Sequence, residues 1–236
     1  MFIGHYGIAF ALKKYASKTS LGILFLAVQL VDIAFFILIP LGIEHMQIIP
    51  GFTEASPFDL YDYPFTHSLL GALGWAIGIY LIVRFIPLGS SMEPSYRQRV
   101  SLVLGIAVFS HFLLDFIVHT PDLLLVPGLE VMIGLGLWNS IIVSVGVELG
   151  VLLVGCWIYH ISIPSGTSFV GKYGMLTFII VLVTLTILTP FMMYPDVLTL
   201  SVTAELMYVV FALAAWWFDG KRNATTDQTG LSQITA

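Results

Sequence analysis

The chain has 236 residues, of which 58% are hydrophobic and only 10% charged, with a formal net charge of −5. Soluble domains carry about 25% charged residues, so a water-soluble globular protein is excluded and a polytopic membrane protein is expected. A single cysteine, Cys156, rules out an intrachain disulfide and a cysteine-based zinc site, and it reads as a small buried hydrophobe.

The first twelve residues, MFIGHYGIAFAL, are apolar but too short to cross a bilayer, which takes roughly 20 residues. Lysines follow this run instead of preceding it, so no cleavable signal peptide is expected. The segment reads as a half-helix dipping into the inner leaflet or as an amphipathic helix lying flat on the membrane. Six spanning helices follow, at about 20–43, 67–88, 100–119, 138–163, 173–194 and 198–218. The expected fold class is therefore all-α, one membrane-embedded helical domain over residues 1–220. Polar residues 221–236 are expected to form a disordered cytoplasmic tail. Gly71, Gly74 and Gly78 in the second spanning helix are expected to be close-packing contacts.

Charge placement supports the count. Lys13, Lys14, Lys18, Arg84, Arg97, Arg99, Lys172, Lys221 and Arg222 all fall on one side of a six-helix topology. The opposite loops hold Glu44, Glu54, Asp59, Asp62, Asp122, Glu130 and Asp196, without a lysine or arginine. The positive-inside rule then puts both ends in the cytoplasm.

Ionisable residues inside a membrane are costly and mark function by default. Here they are His5, Asp32, His67, His111, Asp115, His119, Glu148 and Glu205. With a rise of about 1.5 Å per residue, His5 lies roughly 12 Å in from Lys13 and Asp32 roughly 21 Å in from Lys18. On the same scale His111, Asp115 and His67 lie roughly 18, 24 and 25 Å in from their nearest basic residues. These five share one slab of membrane. Imidazole and carboxylate are preferred ligands for zinc and similar divalent ions, and residues four apart share a helix face. His111 and Asp115 can thus hold one ion, with His119 a turn further out.

Gly4-His5, Val31-Asp32-Ile33, Thr66-His67-Ser68 and Ser110-His111 with Asp115 occur in that order. In this the first half of the chain resembles the YdjM family, membrane-bound metal-dependent hydrolases. Val31-Asp32-Ile33-Ala34 stands where that family often has Pro-Asp-Ile-Asp, and Asp62-Tyr63-Pro64-Phe65 where it often has His-Arg-Gly before Thr-His-Ser. The ligand order is also similar, more loosely, to zinc-dependent phospholipase C and related nucleases. That likeness implies one ion on Asp32, His67, His111 and Asp115, with Asp115 bridging to a second held by His5. His119 with Asp122 would serve a third.

The expected function is hydrolysis of a lipid or lipid-linked phosphoester through metal-activated water, at a site opening toward the outer leaflet of a bacterial or archaeal cytoplasmic membrane. The expected cofactor is one or two divalent ions, zinc first and manganese or iron next. Asp115, Glu148 and Asp62 are the candidate catalytic groups, and no nucleic acid partner is expected. The rival expectation is a metal-ion or proton transporter using the same cluster, since chains of Asp, Glu and His also mark proton pathways. A third is a structural membrane protein stabilised by a metal.

Overall fold

The structure, a computed structural model, describes residues 3–86, 92–129 and 131–223. Eight α-helices dominate it: α1 (His5–Leu12), α2 (Leu21–Val28), α3 (Leu30–Leu38), α4 (Leu69–Phe85), α5 (Pro94–Val118), α6 (Ile141–Ser162), α7 (Phe169–Leu188) and α8 (Val197–Asn223). Two small antiparallel hairpins were not anticipated. One pairs β1 (His45–Ile48) with β2 (Phe58–Asp62), and the other pairs β3 (Leu123–Leu124) with β4 (Met132–Ile133).

The protein is membrane-embedded. Helices α5 to α8 are each long and apolar enough to cross a bilayer, and α2 with α3 makes a fifth path bent by 52°. Helix α4, at 17 residues, sits at the lower length limit for a span. Large apolar side chains such as Ile142, Val154, Trp157, Ile180 and Leu206 point outward, as a lipid solvent allows.

Several boundaries differ from expectation, each for a local reason. The first expected span is broken at Gln29, whose φ of −105° and ψ of 3° leave the helical region. No Pro or Gly lies at the break. Instead the His111 ring reaches in at the break and meets the Val28 carbonyl at 2.8 Å. Helix α5 starts at Pro94, six residues before the expected limit, because Glu93 accepts the Tyr96 N–H and Pro94 favours a first turn. The Ser95 hydroxyl and backbone N–H, and then the Tyr96 N–H, hold the Glu93 carboxyl below the usual range. Helix α8 continues through Asn223, so the first residues of the expected tail are helical, and residues 224–236 lie outside the described residues.

Helix α1 settles the two readings of the N-terminal segment. His5, Tyr6, Gly7, Ala9 and Phe10 are all buried, so the helix stands inside the bundle, packed on α2, α5 and α6. Tyr6 stacks on Phe25 at 4.2 Å, and Phe10 meets the edge of Tyr159. The approach to α6 is so close that a Cβ on Gly155 would stand 1.9 Å from the Gly7 carbonyl oxygen, and one on Gly7 would stand 2.3 Å from that of Val151. The glycines of α4 behave differently. Gly74 and Gly78 face open space, so only Gly71, set against the Phe65 carbonyl, is a packing contact.

The basic end is closed by a buried charge network. Lys13 is not at the surface as expected. It donates to Asp219 Oδ2 and to the Thr19 carbonyl, both at 2.6 Å. Asp219 also accepts from Tyr159 and from the Leu21 N–H, so one carboxylate joins the ends of α1, α2, α6 and α8. Arg222 donates to the Ile163 and Pro164 carbonyls.

A Gly155→Ala change is expected to destabilise the fold by about 1–3 kcal/mol through overpacking against backbone that has no room to move. Gly74→Ala, facing open space, is expected to be neutral. Thermal unfolding of both variants in detergent makes the comparison, and an unshifted midpoint for Gly155→Ala would contradict the packing described.

Candidate metal centre

Three helices and one loop bring their side chains together near the acidic end. His5 opens α1, Asp32 lies in the first turn of α3, and His67 precedes the α4 cap Ser68. His111 and Asp115 share a face of α5, and His119 caps its C-terminus. All except Asp32 are buried, and Asp32 is nearly so. Asp115 lies three residues inside the outer end of α5 and Asp32 six inside that of α3, roughly 4.5 and 9 Å down.

Asp115 is the centre. Its Oδ2 lies 3.0 Å from His111 Nε2 and 3.7 Å from His67 Nε2, while its Oδ1 lies 3.3 Å from His5 Nε2 and 3.8 Å from His119 Nε2. Asp32 Oδ1 lies 3.2 Å from His67 Nε2 and 3.3 Å from His111 Nε2. Two overlapping groups therefore can hold a metal ion, His5 with His111 and Asp115, and Asp32 with His67 and His111.

The hydrogen bonds behind the rings fix their tautomers. His111 Nδ1 faces the Val28 carbonyl, which only accepts, so Nδ1 carries the proton. The Thr66 hydroxyl gives its hydrogen to Glu44 Oε2 at 2.7 Å and must accept from His67 Nδ1 at 2.8 Å. His119 Nδ1 lies 3.0 Å from Asp122 Oδ1 and donates to it. Three Nε2 lone pairs are thereby aimed at two carboxylates, an arrangement that needs a proton or a cation between the partners. His5 and His111 stack at 3.9 Å with their planes 3° apart, and two imidazolium rings there would repel. His5 Nδ1, His5 Nε2 and His111 Nε2 are buried without a well-directed hydrogen bond. The donor separations also match a metal shell, since bonds of about 2.0–2.1 Å in a tetrahedron give edges of about 3.3–3.4 Å. Nδ1–H held by a carbonyl or carboxylate while Nε2 faces the metal is the usual outer-shell arrangement. The residues present fit a divalent ion.

Six of the predicted residues, His5, Asp32, His67, His111, Asp115 and His119, are thus brought together. His119 joins Asp115 Oδ1 and does not form a separate third site with Asp122, because Asp122 binds its far nitrogen. Two predicted catalytic groups fall elsewhere. Asp62 pairs with His45 at 3.0 Å on the half-exposed hairpin, since the β1–β2 register sets these two residues opposite each other. Glu148, from α6, accepts the Gly4 N–H at 3.3 Å and so anchors the start of α1 beside His5. Glu205 sits on α8 with its Oε1 buried and without a hydrogen-bond partner among the described residues.

Sequence reasoning missed the supporting groups. Glu44, placed only as a loop acid, is fully buried and accepts from the Phe65 N–H, the Thr66 N–H and the Thr66 hydroxyl. Tyr208, from α8, donates to Asp32 Oδ2 at 3.1 Å. Tyr63 donates to Asp122 at 2.7 Å, and burial next to that carboxylate pushes its phenol well above the usual range, so it keeps its proton. Trp138 packs on the His119 ring at 4.1 Å. Thr66 beside His67 was the one available signal.

A cavity of about 210 Å³ opens onto the cluster, with Asp32, His67, Asp115 and His119 at its floor. Its walls come from α3, the end of α7, α8 and the first hairpin. No family model matches this chain, and neither a curated protein nor a solved structure matches it.

Glu44→Gln is expected to weaken metal binding 10- to 100-fold by loosening the Thr66–His67 relay. Asp62→Asn is expected to leave it unchanged. Competition with a chelating dye in detergent measures both, and equal effects would show that the relay does not reach the metal.

Proposed function

We propose that this protein is a metal-dependent hydrolase of the bilayer that cleaves a lipid or lipid-linked phosphoester, with zinc as the preferred ion. The observation that carries this reading is Asp115, whose two oxygens face different histidine pairs. One ion would be held by Asp32, His67 and His111 and a second by His5 and Asp115, with His111 within reach of both and His119 beside Asp115. Divalent ions there supply a Lewis acid and lower the pKa of nearby water.

The residues of the chain do the rest. His67, His111 and His119 are fixed in ring orientation by Glu44 through Thr66, by the Val28 carbonyl and by Asp122. Tyr208 restrains the second oxygen of Asp32. The apolar cavity walls exclude bulk water from the reacting group. In the reaction, a water oxygen bonds to phosphorus, one P–O ester bond breaks, and a proton from that water ends on the leaving oxygen. The resemblance to the YdjM family agrees with this reading. In our reading the basic end faces the cytoplasm and the cavity serves the outer leaflet of a cytoplasmic membrane. Transport is disfavoured because the layer beneath the cluster is filled by Phe10, Phe25, Phe178 and Phe211 in close ring contact.

Elemental analysis of purified protein is expected to find one or two zinc, manganese or iron ions per chain, reduced in His111→Ala. Asp115→Asn is expected to lower hydrolysis of a long-chain lipid phosphoester at least 100-fold, and chelation followed by zinc should remove and restore it. An Asp115→Asn protein with full turnover would overturn this assignment.

A further inference from the structure

The chemistry of the cavity walls carries a sharper statement about the substrate. Beyond the cluster at its floor, the cavity is lined by aliphatic, methionine and aromatic side chains, among them Phe36, Leu200, Ala204 and Met207. Among the described residues its lining includes no lysine, arginine, asparagine or glutamine. Three of its four hydroxyls already donate elsewhere: Tyr208 to Asp32, Thr189 to the Leu185 carbonyl and Thr203 to the Thr199 carbonyl. The outer wall offers no more, being built from Met46, Phe58, Leu60 and Trp138, with Tyr194 as the remaining hydroxyl. Sites that discriminate polar groups do so with placed donors and acceptors, because an unpaired polar group in such a pocket is strongly rejected. This cavity has almost none to place.

We propose that the enzyme selects its substrate by a single hydrocarbon chain lying in this cavity along α8, and is indifferent to the polar head group. The proposal rests on the hydrolase reading above and deepens it. The placement agrees: Leu200, Ala204 and Met207 lie on α8 between its outer end and Tyr208, which bonds Asp32, so the apolar wall leads directly to the cluster. The cluster then meets only the phosphoryl group, and the chain supplies the binding energy, about 0.8 kcal/mol per buried methylene.

Two experiments test this. The first uses a long-chain phosphate ester carrying a diazirine near its chain end, photolysed with the protein in mixed micelles and mapped by peptide mass spectrometry. Labels are expected on Phe36, Ala204 and Met207. Labelling confined to the outward-facing Val202, Leu206 and Val209 would overturn the proposal. The second compares turnover of phosphoesters that share one chain but differ in head group with turnover of a short, water-soluble phosphoester. Head-group changes are expected to alter kcat/KM less than tenfold, and removing the chain to lower it more than 100-fold. Ala204→Trp, which fills the cavity, should lower long-chain turnover more than tenfold while keeping metal content. A strong head-group dependence, or a chain-indifferent enzyme, overturns chain selection and leaves the hydrolase reading standing. A metal-loaded protein that cleaves none of these esters overturns the hydrolase reading, and with it chain selection as a substrate rule.

Discussion

Two carboxylates buried in an apolar slab set the terms for the rest of this molecule. Asp32 and Asp115 cannot remain there as bare anions, because an unpaired charge in a low-dielectric interior costs several kcal/mol or more. Four imidazoles face them, and each ring that can be assigned turns its lone pair toward the carboxylates because its proton is used on the far side. A divalent ion held by these groups would neutralise them. Much else follows from holding the rings: the break at Gln29, the buried Glu44, the ordered turn around Asp122, and the insertion of α1 between longer helices.

The glycine contact between α1 and α6 matters for the same reason. An eight-residue helix cannot hold itself in lipid by length alone, so its position comes from packing. Backbones that touch at Gly7 and Gly155 set how far His5 reaches, while the Lys13–Asp219 pair fixes the other end. Glu148 supports the start of the helix from α6. A residue that reads from sequence as a candidate base has become part of the scaffold under a ligand.

Much of this was legible in the sequence because bilayer physics is severe. The all-α class, the approximate spans and the segregation of charge follow from hydropathy and the placement of nine basic residues. The six clustering residues could be chosen because an ionisable group at membrane depth has few bland explanations. What stayed hidden depends on contacts distant in sequence. Tyr208 meets Asp32 across 176 positions, and Glu44 looks like any loop acid until Thr66 folds over it. Asp62 was misread because its period in β2, set by the hairpin register, turns it toward His45. The break in the first span carries no Pro or Gly, so nothing local announced it.

That break has a consequence for how the protein is built. The Val28 carbonyl is taken by a ring 83 positions later in the chain, on a helix that has not been made when the first span is inserted. Until α5 arrives, that oxygen has only its own helix to bond to, since hydrocarbon offers no other donor. The contact at the bend can therefore form only once α5 is in place, so the bend that sets the direction of Asp32 and the helix that carries His111 are completed together.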